Sequence, residues 1–209
     1  LEECKSTNLE ILDSDYPNGQ LIMTLKQTDG RGQNGRIWND SPGGFMGSWG
    51  FLNSIERSPE MLQIASSIAV IDTVSALICQ PIPSHSWQYS SEIIQTNLVV
   101  KWPNDIYLKT AGGFAKICGI LAESRSKGDD MKVAIGIGLN RYGPTTDINT
   151  AGWNDICGFE AISREQISTI LHASVSSVFE KHPLVNDIER DWLLIIQYAL
   201  MRSSFYLGK

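Results

Sequence analysis

The 209-residue sequence lacks the features that mark several large classes of protein. Its 23 acidic residues outnumber its 17 lysines and arginines, which gives a formal net charge of -6. A surface that tracks nucleic-acid phosphates usually needs a basic excess, so no nucleic-acid partner is expected. The apolar runs are far shorter than the ~20 residues that cross a bilayer, and no signal-peptide pattern is visible, so we expect no membrane partner either.

Cysteine and histidine are scarce and poorly spaced for metal or disulfide chemistry. The four cysteines, Cys4, Cys79, Cys118 and Cys157, form no CxxC pair, and there are only three histidines. No zinc site is therefore predicted. Small buried thiols are the simplest interpretation, and reduced thiols are typical of the cytoplasm. The sequence also has no Walker A loop, no clean GxGxxG and no Ser/His/Asp order.

What remains is an ordinary globular mixture, 42% hydrophobic and 19% charged, which predicts a single domain over 1–209. Strands are predicted over 21–26, 45–52, 98–101, 106–108, 116–123 and 132–139. Helices are predicted after the Ser6-Thr7-Asn8 cluster, over 59–79, over 163–180 with a capping box, and over 185–198. Segments 81–96 and 145–158 are predicted as a surface insertion and a loop. The result is an α+β domain with helices packed on one face of a sheet.

The segment GRGQNGRIW, 30–38, is the richest in functional residue types. Its glycines allow close approach to a ligand, and Arg31 and Arg36 can make charge-assisted bonds to phosphate or carboxylate oxygens. Trp38 offers a flat surface for a ring. Glycine-rich loops are common, however, and a surface hairpin with incidental arginines explains the pattern equally well.

Two further segments combine a lysine with other polar groups. In KWPND, 101–105, Asp105 can orient a lysine or bind magnesium through oxygen, although a turn with a solvated ion pair is the simpler alternative. In KICGILAES, 116–124, Lys116 opens an apolar strand and can aim its ammonium into a cleft. The alternative there is a lysine that flanks an edge strand.

The segment IGIGLN, 135–140, places two glycines inside a strand. Such glycines usually mark close backbone approach. Asn140 ends the strand with two donors and an acceptor that suit an adenine edge or a ribose. A bulge followed by a turn residue is equally consistent with this pattern.

In this order, these segments resemble the catalytic domain of biotin–protein ligases. The resemblance runs through STN (6–8), QTDGRGQNGRIW (27–38) with SPG (41–43), KWPND, KICGIL and IGIGLN, and it covers 1–140 well. It implies a mixed, mainly antiparallel sheet like that of class II aminoacyl-tRNA synthetases. It also implies a two-step reaction in which biotin and Mg²⁺-ATP give biotinyl-5′-adenylate, which then biotinylates a lysine of a biotin carboxyl carrier domain of a carboxylase.

The resemblance also assigns roles to individual residues. The implied biotin-binding residues are Ser6, Thr7, Asn8, Gln27, Gly30, Arg31, Gly32, Gln33, Lys116 and Gly119. The implied ATP-binding residues are Arg36, Trp38, Asn104, Asp105, Lys116 and Asn140, and Asp105 is also the candidate magnesium ligand. Lys116, which would bridge the biotin carboxylate and the α-phosphate, and Arg31 are the implied catalytic residues.

The chain departs from the family pattern in several places. Gln33 stands where some bacterial members have an arginine that helps to retain the adenylate. The insertion over 81–96 is longer than in compact members. We expect no N-terminal winged helix, an absent or truncated C-terminal SH3-like barrel, and a monomer or homodimer.

Two other functions remain open. One is a lipoate–protein ligase or octanoyltransferase on the same fold, although the RRxSGGGxV loop of those enzymes is missing. The other is a biotin-binding module without turnover.

Overall fold

The computed structural model describes residues 1–39, 41–52, 62–63, 65–71, 73, 98–101, 104–110, 113–127, 130–143, 150–157 and 162–181. The strands are β1 Glu3–Cys4, β2 Leu21–Met23, β3 Lys26–Gln27, β4 Phe45–Leu52, β5 Leu98–Lys101, β6 Asp105–Thr110, β7 Gly113–Lys127 and β8 Asp130–Leu139. The helices are α1 Thr7–Asp13, α2 at the described positions of 62–73, α3 Trp153–Cys157 and α4 Arg164–Lys181.

Six of these strands form one antiparallel sheet in the order β2-β4-β8-β7-β6-β5. The other two, β1 and β3, make a short parallel pair. Alternation along the central strands gives the sheet two distinct faces. On β8, Ile135 and Ile137 face the main core, while Ala134 packs with Ile11 of α1 on the opposite face. One face of the sheet therefore packs in the main core, and α1 packs on the opposite face.

The larger helices cover the core face. Ile167, Leu171 and Val175 of α4 are buried in the same cluster as Phe45 and Trp49 of β4. Trp49 Nε1 also donates a hydrogen bond to His172 Nδ1 of α4 over 3.0 Å. The α+β class and the packing of these helices on one face agree with the sequence prediction, while the short α1 lies on the other face.

Helix α2 shows how a segment with several hydroxyl residues can be buried. Ser66, Ser67 and Thr73 are fully buried. Their hydroxyls donate to the carbonyls of Leu62, Gln63 and Ala69, one helical turn earlier. Each buried hydroxyl is therefore satisfied within its own helix. The predicted helix over 59–79 is confirmed at its described positions.

Several predicted bounds are confirmed and others need correction. Strands 45–52 and 98–101 have the predicted ends, and the Ser163–Gln166 capping box forms at the start of α4. The predicted strand 21–26 is instead two strands, β2 and β3, and the predicted loop 145–158 contains α3. Segments 81–96 and 185–198 lie outside the described residues.

The start of α1 also differs from the prediction. Ser6 occupies the N-cap position but makes no side-chain capping bond. Gln27 Oε1 of β3 accepts a hydrogen bond from the Thr7 backbone N–H over 2.9 Å instead. Pairing of β1 with β3 brings Gln27 to this helix end, so a residue distant in sequence satisfies one of its free N–H groups.

The prediction of small buried thiols fits Cys118, which is buried, but not Cys4, which is only half-buried. Cys4 and Cys118 are both free thiols. Burial raises the pKa of the Cys118 thiol well above its usual range, because the core cannot solvate a thiolate. Cys118 is therefore a neutral core residue. Within the described part of the chain, no helix combines the length and apolar character needed to cross a membrane.

Candidate active site

A pocket of about 100 Å³ opens on the sheet face that carries α1. Its lining brings together thirteen residues that the sequence analysis singled out: Ser6, Thr7, Asn8, Gln27, Arg31, Gly32, Gln33, Arg36, Trp38, Asn104, Asp105, Lys116 and Gly119. Of the predicted site residues, only Gly30 and Asn140 are not part of this lining. Segments that are far apart in sequence therefore converge on one cavity.

The floor of the pocket is a pair of glycines on neighbouring strands. Gly119 of β7 and Gly138 of β8 are direct cross-strand partners. The Trp38 indole lies on them so closely that a Cβ at Gly138 would be 2.4 Å from Trp38 Cε2, and one at Gly119 would be 2.6 Å from Trp38 Cζ3. These two positions therefore require glycine, because any side chain would displace the flat group that rests on the floor.

A β-bulge places Lys116 on the same face as this floor. Residues in a regular strand alternate between faces, so residues at positions 116 and 119 would point to opposite sides. In the pairing of β6 with β7, however, Tyr107 is opposite Lys116 and Ile106 is opposite Cys118, so Ile117 is the extra residue. Both Ile117 and Cys118 are buried in the core. The bulge shifts the alternation and directs Lys116 and Gly119 into one pocket.

Lys116 is paired with an acidic residue at this point. Its Nζ lies 2.7 Å from Asp105 Oδ1 and 5.2 Å from the centroid of the Trp38 ring. Asp105 is the only carboxylate among the described residues that line the pocket. Within the described chain, no group donates a hydrogen bond of good geometry to this oxygen, so the contact is mainly ionic. The pair places a cation beside the glycine floor.

Asn140 stabilises this bulge rather than lining the pocket. Its backbone N–H donates to Ile117 O over 2.9 Å, and its Nδ2 donates to Lys116 O over 3.3 Å. Ala151 N also donates to Lys116 O over 2.8 Å. The Lys116 and Ile117 carbonyl groups at the bulge thus accept hydrogen bonds from Asn140 and Ala151. Asn140 acts on the position of Lys116 through the backbone, and its predicted contact with ATP stays a prediction.

The glycine- and arginine-containing segment is an ordered hairpin. Trp38 N donates to Gly30 O over 2.9 Å, and Gly32 N donates to Arg36 O over 2.7 Å. Its tip is the short 3-10 turn Gln33–Gly35, where Asn34 has a φ of 59°. A Cβ at Gly30 would lie 2.6 Å from Trp38 O, so this glycine lets the two arms approach. The segment is therefore a hairpin that lies against the pocket.

A polar network forms the opposite wall. Gln27 Oε1 accepts from Thr7 Oγ1 over 3.3 Å, and Asn8 Oδ1 accepts from Ser48 Oγ over 2.6 Å. Thr7, Asn8 and Ser48 are all buried. A Cβ at Gly136 would lie 2.5 Å from Asn8 Oδ1, so this third glycine admits the Asn8 amide. The wall offers fixed amide and hydroxyl groups that suit a polar ring.

Sequence reasoning missed two residues of this site. Ser48 lies inside a strand whose pattern gives no sign of a polar role. Glu123 follows the KICGIL segment and binds both Arg31 and Asn8. Gly136 and Gly138 had been recognised only as marks of close backbone approach. A cross-strand contact depends on register, which the sequence of one strand does not reveal.

Comparison with known protein families identifies the family to which the chain belongs. Residues 2–140 match the Biotin/lipoate A/B protein ligase family. The match covers about two thirds of the chain, so the chain belongs to this family.

Within the family, the proteins that the chain resembles include biotin–protein ligases among both the relatives and the solved structures. It is 32% identical to the Bifunctional ligase/repressor BirA of Bacillus subtilis over 141 residues, which is 67% of this chain and 38% of that protein. It is 29% identical to the Biotin–protein ligase of Homo sapiens over 160 residues, or 70% of this chain and 20% of that protein. The chain thus spans well under half the length of these relatives.

The fold is shared with solved structures of the same group. The structure of the biotin protein ligase from Aquifex aeolicus in complex with biotin and ATP superposes with a TM-score of 0.63 at 26% identity, covering 87% of this chain and 69% of that one. A point mutant of the same ligase in complex with biotin gives a TM-score of 0.64 at 25% identity, covering 87% of this chain and 69% of that one. The mixed α+β fold expected from the sequence is therefore confirmed.

Proposed function

We propose that this chain activates biotin with ATP to biotinyl-5′-adenylate and transfers the biotinyl group to a lysine of a biotin carboxyl carrier domain. The observation that carries this proposal is the placement of Lys116 beside the glycine floor, between the polar wall and the arginine hairpin. The relatives named above, and the ligand-bound Aquifex aeolicus structure, support biotin and ATP as the substrates.

The first step needs two anions brought together. A biotin carboxylate oxygen attacks the α-phosphorus of ATP, the bond to the β-phosphate bridging oxygen breaks, and pyrophosphate leaves with that electron pair. Lys116, Arg31 and Arg36 line the pocket and offset the repulsion between the two reactants. A cation ~4 Å from a developing negative charge contributes about 4 kcal/mol at an effective dielectric near 20. Binding and electrostatic stabilisation can thus account for the chemistry without a covalent enzyme intermediate.

The polar wall on one side of the pocket and the hairpin on the other would orient the substrates. The network around Thr7, Asn8 and Gln27 would bind the polar ring of biotin, and Gly119 would let biotin reach the backbone. Trp38 and Arg36 would contact the nucleotide. Because the present cavity of about 100 Å³ is smaller than the ~300–1,000 Å³ of typical ligand sites, we propose that the Trp38 indole moves off the glycine floor when substrates enter.

The pocket fits a magnesium ion that is bound mainly by substrate phosphates. Magnesium commonly uses one or two protein carboxylates and completes its shell with phosphate and water oxygens. Asp105 is the carboxylate in position, and Asn104 adds an amide oxygen beside it. No cluster of three or more acidic, cysteine or histidine ligands occurs in the described residues. When bound, the ion would neutralise phosphate charge, while Lys116 remains the protein's own cation at the reacting oxygen.

The second step transfers biotin to the partner protein. The neutral ε-amine of the carrier lysine attacks the acyl carbon of the adenylate, a C–N bond forms, and AMP leaves while the amine loses a proton. We propose that residues 1–209 act as one cytoplasmic catalytic domain, as a monomer or a homodimer, on a carrier domain of a biotin-dependent carboxylase.

The decisive assay supplies Mg²⁺-ATP with radiolabelled biotin or lipoate and separates the acyl-adenylate from the free acid. We expect a biotinyl-adenylate, followed by label on a carrier lysine when a carrier domain is added. Adenylation of lipoate but not biotin would contradict the proposal in favour of a lipoate ligase. Biotin binding without any adenylate would contradict it in favour of a binding module.

A further inference from the structure

Glu123 joins two parts of the site that are otherwise separate. Its Oε1 accepts a hydrogen bond from Arg31 Nη1 of the hairpin over 2.9 Å, and its Oε2 accepts one from Asn8 Nδ2 of α1 over 2.8 Å. One carboxylate therefore uses both oxygens to bind two different elements. The segment KICGILAES contains this residue, but no role was predicted for it from the sequence.

The contact with Asn8 is part of a saturated network. Asn8 is only 3% exposed. Its Nδ2 also donates to Leu121 O over 3.2 Å, and its Oδ1 accepts from Ser48 Oγ over 2.6 Å. With these three partners, the amide has one fixed orientation against the polar wall. A buried amide in such a network loses free energy if any partner is removed, so Glu123 defines the position of Asn8.

The contact with Arg31 acts on the hairpin. The Glu123 side chain is 22% exposed and the Arg31 side chain is 43% exposed, so the pair is only partly shielded from water. It is the ion pair that the described structure shows between the hairpin and the sheet. The Trp38 indole fixes the end of the hairpin on the glycine floor, but most residues from Arg31 to Ile37 are exposed, so the ionic contact with Glu123 has a large share in placing this part of the hairpin.

We propose that Glu123 is a positioning residue that fixes the Arg31 hairpin beside the pocket and orients Asn8 in its wall. It does not touch the reacting atoms. Before substrates arrive, it places Arg31 where a carboxylate or phosphate oxygen can bind. The consequence for activity rests on the function proposed above, but the position of the hairpin can be measured without it.

The first test is limited trypsin digestion of the ligand-free protein. The hairpin carries two trypsin sites, Arg31 and Arg36. Glu123→Gln keeps the size of the side chain and an oxygen for Asn8 Nδ2, but it loses the charge that binds Arg31. We expect cleavage at Arg31 and Arg36 to become about two- to fivefold faster, in line with the loss of a partly exposed ion pair. An unchanged cleavage rate would overturn the proposal.

A matched control comes from the same strand and face. Arg125, two positions after Glu123, pairs with Asp13 at the end of α1. Asp13→Asn removes an ion pair between β7 and α1 without touching the hairpin. We expect its cleavage at Arg31 and Arg36 to equal the wild-type rate. Acceleration in this control equal to that in Glu123→Gln would mean general loosening and would overturn the proposal.

A second variant changes the more exposed residue of the pair, Arg31. Arg31→Gln leaves the Asn8 contact intact and retains the trypsin site at Arg36. Cleavage at Arg36 should accelerate as it does in Glu123→Gln, and the double variant should show no further acceleration, because both changes remove the same interaction. Independent, additive effects would overturn the proposal. This measurement remains decisive even if Glu123→Gln folds poorly.

The activity test separates positioning from chemistry. In adenylate formation, Glu123→Gln should raise the KM for biotin about three- to tenfold and change kcat less than twofold, because binding geometry is affected and the reacting atoms are not. A lower KM would mean that Glu123 holds Arg31 away from the substrate, and a loss confined to kcat would mean direct participation; either result overturns the proposal. If the wild-type chain forms no adenylate, the proposed function fails while the digestion results still decide the role of Glu123.

Discussion

Lys116 Nζ of β7 lies 2.7 Å from Asp105 Oδ1 of β6, at the point where the bulge of β7 turns the lysine toward the pocket. The Lys116 and Asp105 side chains are 26% and 10% exposed. The geometry therefore combines two properties that a site for two anionic substrates needs. It provides a cation beside the floor, and it provides a counter-ion that keeps this cation in place before the substrates bind.

The first prediction concerns the stability of this pair. Lys116→Met should lower the free energy of unfolding by about 1–3 kcal/mol, because it leaves the nearly buried Asp105 carboxylate without its cation. Adding Asp105→Asn should regain most of the lost free energy of unfolding, since the uncompensated charge is removed. Urea unfolding of both variants measures this. Equal stability of Lys116→Met and the wild type would contradict an intact ion pair in the folded protein.

The second prediction concerns the support of the bulge. Asn140→Ala removes the donor to Lys116 O, and we expect about a tenfold fall in adenylate formation with about 1 kcal/mol of lost stability. Asn18→Ala is the matched control, because Asn18 Oδ1 accepts from Leu52 N in an exposed turn. The control should lose similar stability but keep its activity. If both variants lose activity equally, Asn140 has no specific effect on Lys116.

The third prediction concerns the glycine floor. In Gly138→Ala the new Cβ would lie 2.4 Å from Trp38 Cε2, so the indole has to leave its position. We expect a red-shifted tryptophan emission from the displaced indole. We also expect at least a tenfold weaker binding of biotin and ATP, because the added methyl group occupies the floor that the substrates need. In a Trp38→Ala background, the same glycine substitution should cost little stability, because the close contact is gone. An unshifted spectrum in the single variant would mean that Trp38 does not lie on this floor.

The fourth prediction concerns retention of the intermediate. Gln33 is in the pocket lining at the tip of the hairpin. Gln33→Arg adds a cation near the expected phosphate, and we expect release of preformed biotinyl-adenylate to slow by about three- to tenfold. Release is followed by rapid filtration after a chase with unlabelled biotin. Asn39→Arg, which places the same charge at an exposed position beyond the hairpin, should leave the rate unchanged; a similar slowing there would mean a nonspecific charge effect.

Much of the fold could be predicted from the sequence because it follows from local patterns. The strand Phe45–Leu52 follows the turn predicted over 40–44, and α4 begins with the Ser163–Gln166 box, so both were placed with little error. The short helix α3 was missed, since its five residues carry too little periodicity to stand out from a loop. Division of 21–26 into two strands depends on their partners, β4 and β1, and no local signal marks it.

The site was only partly predictable for a similar reason. Lys116, Gly119 and the arginines were found because their residue types are unusual for their positions. The bulge at Ile117 was not, because the letters KICGIL are equally compatible with a regular strand. The roles of Glu123 and Asn140 depend on which side chains and carbonyls meet across strands, and such contacts are set by register rather than by local sequence.

The central claim is that Lys116 supplies the charge that lets a biotin carboxylate attack ATP. It is tested most directly by single-turnover formation of biotinyl-adenylate from radiolabelled biotin and Mg²⁺-ATP, with the wild type and the Lys116→Met variant side by side. We expect adenylate in the wild type and at least a ~100-fold slower reaction in the variant, as expected for loss of a charge that stabilises the transition state. Adenylate formation at a near wild-type rate by a folded variant would contradict the claim.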